Sequence, residues 1–235
     1  MSAPRPILIH GSGGDHRVWA LQTARLPGAF VIDLPGRPDG EPATDLATLA
    51  DACAAAIASV DPPRVIVGHS LGGAVALEVA RREPDLVDGL VIVSSAACLG
   101  IPDATVARAR DDFAAERERL VAGSFADPDT PMARHARAAL DACGPLTLAA
   151  DYAACRSVDL CGRLGALRVP VLLIVGADDP FTPPRFSEEL ARELPMSQMV
   201  VIPGARHMPM AEFDDTVNQL IAAYLARLEL TLQDA

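Results

Sequence analysis

The sequence predicts an α/β protein built on a mostly parallel, doubly wound sheet, with a helical cap inserted late in the chain. Three observations predict it. Short β-branched runs at residues 7–9, 30–33, 65–68, 90–94, 171–176 and 199–203 alternate with longer helical patterns, as crossover-connected strands do. Each run is apolar throughout instead of alternating, so both faces of the sheet must be covered. Between residues 98 and 168 the rhythm stops, and only Ala/Arg/Asp-rich helical stretches appear. The expected organisation is a core of residues 1–97 and 169–235 with a helical cap over 98–168.

Run 7–9 is expected to be the first strand, and it leads into His10-Gly11-Ser12-Gly13-Gly14. Run 30–33 leads into Asp33-Leu34-Pro35-Gly36. An Ala-rich helix over 45–59 stops before Asp61, Pro62 and Pro63, which cannot continue it. Strand 65–68 passes through a Gly-rich turn into a helix over 71–82 that Pro84 ends. After strand 90–94, the cap should hold helices over 104–121, 132–143 and 146–155. Pro183 and Pro184 open a helix running to residue 194, and Val217, Leu220, Ile221, Tyr224, Leu225 and Leu228 mark one apolar face of a last helix over 214–228. The six residues before Ile7 are too few for two further edge strands, so a sheet with a short N-terminal edge is expected.

Composition narrows the function. Acidic residues outnumber basic ones, 31 to 20, for a net charge of −11, and the basic residues are scattered. Nucleic acid would be repelled, and an anionic membrane surface is disfavoured on the same ground. No run of about 18 apolar residues offers a membrane span. Residues 1–6 leave no room for a signal peptide, so a cytoplasmic protein is expected. Cys53, Cys98, Cys143, Cys155 and Cys161 contain no Cys-x-x-Cys pair and are odd in number. They read as free thiols in a reducing compartment, with no disulfide framework and no metal-ligand set. No cofactor is implied, and the oligomeric state is not encoded.

The strongest chemical signal is Gly68-His69-Ser70-Leu71-Gly72-Gly73 between a strand and a helix. A nucleophile on so sharp a turn needs glycine neighbours, because side chains there would collide. Ser70 would also sit at a helix N-terminus, which favours negative charge. Read alone, the pattern is equally a glycine turn with a solvated serine. A phosphate loop is a further alternative, but the Lys that would reach a phosphate is missing.

A serine hydroxyl needs a base, and histidine suits that work. Of the five histidines, His10 is expected to bond backbone locally. His16 and His135 lie in a loop and in the insertion, and His69, beside the nucleophile in sequence, should point elsewhere at so sharp a turn. His207 follows the last strand, where a loop can reach the sheet edge. A carboxylate must then orient the imidazole, and Asp178 and Asp179, after strand 171–176, both compete for that place.

Taken together these motifs resemble the α/β-hydrolase superfamily across nearly the whole chain, in the order nucleophile, acid, base. The resemblance implies Asp179 as the acid, three residues after Gly176, and His207 as the base in a Gly-x-x-His loop from Gly204. It also implies that the His10–Gly14 segment is the family's His-Gly loop, so that the N–H groups of Ser12 and Leu71 would hold an oxyanion. One departure stands out. Asp33-Leu34-Pro35-Gly36 matches the family, but the His-Gly that often follows is replaced by Arg37-Pro38-Asp39-Gly40.

The implied activity is hydrolysis of small carboxylic esters through an acyl-enzyme on Ser70, most like small esterases and enol-lactonases. Lactone or carbon–carbon bond hydrolysis, or slow-turnover small-molecule binding, are the alternatives. Phe113, Leu120, Val121, Phe125, Leu146 and Tyr152 are candidate pocket linings, and equally candidates for packing inside the cap.

Overall fold

The computed structural model describes residues 3–233. Six strands, β1 (Arg5–Ile9), β2 (Phe30–Ile32), β3 (Arg64–His69), β4 (Gly89–Val93), β5 (Val171–Gly176) and β6 (Ser197–Ile202), form one sheet in the order β2-β1-β3-β4-β5-β6. Every neighbouring pair is parallel. Among the described residues nine α-helices accompany them. In chain order these are α1 (Ala20–Thr23), α2 (Leu46–Ala58), α3 (Leu71–Arg82), α4 (Asp103–Asp111), α5 (Phe113–Ser124), α6 (Pro131–Arg156), α7 (Pro184–Glu193), α8 (Pro209–Glu212) and α9 (Asp214–Gln233). Among the described residues the sheet carries no antiparallel strand.

Successive side chains on a strand point to opposite faces, so each central strand feeds two cores. Ile66, Leu90, Ile92 and Leu173 pack with α2, α3 and α7, while Val65, Val67, Val91, Val93, Leu172 and Ile174 pack with Trp19, α9 and the inserted helices. Helix α9 is fixed to the sheet by a polar contact as well as by its apolar face. The Tyr224 hydroxyl donates to Pro170 O at 2.7 Å and accepts from Leu90 N–H at 3.1 Å.

The insertion between β4 and β5 departs from expectation at its breaks. The helix expected over 104–121 is two helices, because Asp112 leaves helical geometry (φ −143°) and its carboxylate caps the Ala115 N–H. An acidic residue with a short side chain competes for backbone donors in this way. The two helices expected on either side of residue 144 abut as α6, whose path breaks at Gly144 (φ 73°) ahead of Pro145. Helices α1 and α8 are single turns with no periodicity to announce them.

The cysteine expectation needs correction. Cys98 and Cys161 are joined in a disulfide with Cα atoms 6.1 Å apart, while Cys53, Cys143 and Cys155 are free. An antiparallel bridge between Cys98 and Asp159, with Leu160 N–H bonded to Ala97 O at 2.8 Å, brings the two ends of the insertion together. That pairing crosses 63 residues of sequence and leaves no local spacing signal.

Candidate active site

The turn from β3 into α3 puts Ser70 at φ 51°, ψ −118°. A non-glycine residue with this backbone costs about 1–3 kcal/mol and persists only where its surroundings enforce it. Here they do. Ser70 N–H donates to Val93 O at 3.0 Å, and Ser70 O accepts from the Ser95 hydroxyl at 2.7 Å and from Gly73 N–H at 2.9 Å. The flanking glycines are sterically required. A Cβ on Gly68 would lie 2.3 Å from Gly72 O, and one on Gly72 would lie 2.4 Å from both His10 O and Ile9 O.

His207 lies in the loop leaving β6. Its Nδ1 is 2.9 Å from Asp179 Oδ2, and among the described residues nothing bonds to its Nε2. Asp179, rather than the exposed Asp178, meets the imidazole, because the chain turns after Gly176 and buries the second acid. Burial alone would raise the Asp179 carboxyl. The neighbouring His207 and hydrogen bonds from Thr182 outweigh it and hold the group well below the usual carboxylate range.

Thr182 escaped the sequence reading. Its hydroxyl donates to Asp179 Oδ2 at 2.8 Å, and the N–H groups of Phe181 and Thr182 donate to Oδ1 at 2.9 and 3.0 Å. The carboxylate is therefore locked by its own turn. The signal was available as Asp-x-x-Thr, a pattern in which an aspartate gathers the N–H groups that follow it.

His69 turns to the loop after β6. It stacks at a tilt on His207, with ring centroids 4.8 Å apart, and its Nε2 bonds His207 O at 2.9 Å. Burial and the neighbouring His207 push its pKa down to about 3, so it serves as a neutral prop under the loop. His10 is local as expected, with Nδ1 2.8 Å from Gly11 O and Nε2 accepting Leu34 N–H at 3.0 Å. Burial and Arg37 bring it down to about 4. His16 is exposed and pairs with Asp33.

Ser70, His207, Ser12 and Gly13 line one cavity of about 530 Å³ between the sheet edge and the insertion. Helices α5 and α6 contribute Leu120, Val121, Leu140 and Tyr152 to its walls, joined by Phe125, so four of the six candidate linings are in place. Phe113 packs within the inserted helices instead, and Leu146, 70 % exposed, faces outward from the break in α6. Among the described residues, the N–H groups of Ser12 and Leu71 find no acceptor in the protein. Leu71 N–H opens α3, where the helix dipole adds to its pull on an anion.

Arg37, the departure noted in the sequence, has its side chain buried against Asp151 of α6. Burial raises the Asp151 carboxyl, and Arg37 and the Gly13 N–H oppose that shift. Among the described residues no group of three or more His, Cys, Asp or Glu side chains is arranged to hold a metal ion. No helix among them is long and apolar enough to cross a membrane.

The model of the alpha/beta hydrolase family matches residues 7–220, and the chain belongs to that family. A pimeloyl-[acyl-carrier protein] methyl ester esterase of Neisseria meningitidis is 36 % identical over 222 residues, covering 86 % of this chain and 86 % of that protein. A thermophilic esterase of known structure superposes with a TM-score of 0.85 at 32 % identity, over 95 % of this chain and 90 % of its own. The enol-lactonase of Burkholderia xenovorans LB400 superposes with a TM-score of 0.89 at 21 % identity, over 96 % and 92 %, a likeness of fold. Relatives of this kind make the chain an ester-hydrolysing α/β hydrolase.

Proposed function

We propose that the protein is a serine carboxylesterase that works through an acyl-enzyme on Ser70, with His207 as general base and acid and Asp179 as the group that orients it. The observation that carries this reading is the 2.9 Å contact of His207 Nδ1 with Asp179 Oδ2, with His207 and Ser70 bordering one cavity. A proton held on Nδ1 by the carboxylate leaves Nε2 as the acceptor for the Ser70 hydroxyl proton. Ser70 Oγ adds to the ester carbonyl, and the resulting oxyanion is taken up by the N–H groups of Ser12 and Leu71. His207 then passes its proton to the departing alkoxide. Water, deprotonated by the same imidazole, releases the acid and restores the serine.

Preorganised N–H donors are worth about 3–4 kcal/mol each at the transition state, and two such donors stand unpaired here. The mostly apolar cavity suits an acyl chain of moderate length, and the relatives named as methyl ester esterases favour a simple alcohol as leaving group. Lactones fit the same chemistry, since ring opening needs no different residue. Steady turnover of p-nitrophenyl butyrate and of the methyl esters of graded fatty acids tests the reading. Turnover should vanish in Ser70→Ala while the fold persists. Unchanged turnover in that variant, or a single acylation with no release, would overturn it.

A further inference from the structure

We propose that the buried Arg37–Asp151 ion pair is a positioning device that sets the Ser12 N–H for the reaction and makes that setting depend on the seating of α6. The proposal rests on the esterase reading and goes beyond it, because neither residue borders the cavity.

Both side chains are nearly sealed from solvent, 3 % exposed for Arg37 and 1 % for Asp151. Each partner grips the backbone on one side of the same short turn. Arg37 Nε donates to Gly14 O at 2.6 Å, and Gly13 N–H donates to Asp151 Oδ2 at 2.8 Å. A third donor of Arg37 reaches Pro35 O at 3.2 Å, anchoring the guanidinium to its own loop. The turn is thus held in the two residues that follow Ser12, whose N–H is left free.

Helix α6 meets this turn elsewhere too. Cys155 Sγ lies 3.4 Å from the Ser12 hydroxyl, and Leu140 packs so closely over Gly13 that a Cβ there would come within 2.3 Å of it. Among the described residues Asp151 is nevertheless the one contact from α6 to this turn that is both charged and directed at the backbone. A buried ion pair is seldom more stabilising than apolar side chains of the same volume, so fold stability alone gives little reason for it. Its planar, multi-donor geometry is suited to fixing the orientation of carbonyl and N–H groups. Such precision matters where a donor must meet an oxyanion that exists only in the transition state.

The test compares wild-type protein with Arg37→Met/Asp151→Leu, which removes both charges and leaves neither orphaned, and with Asp151→Asn, which keeps the shape and an oxygen for Gly13 N–H. Three quantities are read for one acyl chain: kcat, KM for the p-nitrophenyl ester, and the inhibition constant of the matching alkylboronic acid, whose tetrahedral adduct uses the same donors. The double variant should keep KM within about threefold and lose about 30- to 100-fold in kcat and in boronate affinity together, a part of the loss seen when one donor is removed. Asp151→Asn should show the same pattern at about a tenth of the size.

A folded double variant with kcat and boronate affinity within twofold of wild type would overturn the proposal, as would a rise in KM at unchanged kcat. Should the double variant not fold, the same criteria apply to Asp151→Asn at a loss of threefold or more. Failure of the esterase reading itself would look different, since wild-type protein would then neither turn over the ester nor bind the boronate.

Discussion

The sheet and the inserted helices α4 and α5 are held together by different physics. Around the sheet, Ile66, Leu90, Val91 and Leu173 are fully buried and packed from both sides. In the insertion, α4 buries one residue, Ala109, and α5 buries Val121 together with a charged one, Glu116. Glu116 is compensated by Arg108, Arg119 and the Tyr152 hydroxyl at 2.6–3.1 Å. Helices α4 and α5, stitched by charge and thin in apolar burial, open at lower free energy than a core of aliphatic side chains, whereas α6 buries Leu140, Leu148 and Tyr152 among others. The site draws on both. The groups proposed to react stand on loops at the carboxyl edge of the sheet, and the walls of the site come partly from α5 and partly from α6.

The largest effects should fall on the rigid half. His207→Ala should lower kcat by about four to six orders of magnitude, and Asp179→Asn by about four, with far-UV circular dichroism unchanged. Asp178→Asn should change kcat less than threefold. A larger loss for Asp178→Asn than for Asp179→Asn, read from kcat/KM, would reverse the assignment of the acid.

Stability should divide along the same line. Ile66→Ala, in the middle of β3, should cost about 2–5 kcal/mol in urea unfolding. Leu146→Ala, at the exposed break in α6, should cost within about 0.5 kcal/mol. Equal losses at the two positions would mean that the break in α6 is as tightly packed as the sheet.

Acid should weaken the molecule from the site outward. His10 and His69 are held at about 4 and about 3 in the folded state, against an ordinary value of 6.5. Between these limits the unfolded chain binds protons that the folded chain does not. Stability is therefore full above pH 6.5 and falls as pH drops toward 4, by up to about 1.4 kcal/mol per pH unit for each histidine. Asp179, whose pKa is depressed, adds a further loss as pH falls through and below its ordinary value of 3.8. Urea midpoints at pH 7.0, 6.0 and 5.0 would show the slope, which His69→Gln should reduce. A flat dependence would mean that both rings are reachable by protons in the folded state.

Much of the sheet was legible because its determinants are local. Each strand reads as an apolar run, most of them closed by Gly, Pro or Asp, and β5 was placed to the residue. The elbow at Ser70 was legible because Gly68 and Gly72 flank it in sequence, as they flank it in space. What escaped depends on distant partners or on a single side chain. Arg37 meets Asp151 across 114 residues, and Cys98 meets Cys161 across 63. One Asp112 carboxylate is enough to split a helix whose periodicity continues through it. The partner of His69, a carbonyl in the loop after β6, is likewise distant in sequence.

Peptide mass spectrometry after reaction with a fluorophosphonate probes the nucleophile most directly. A single phosphonyl adduct should be found on Ser70, formed quickly in wild-type protein and at least about a thousandfold more slowly in His207→Ala. An adduct on another residue, or labelling of Ser70 at the same rate without the imidazole, would contradict a serine activated by His207.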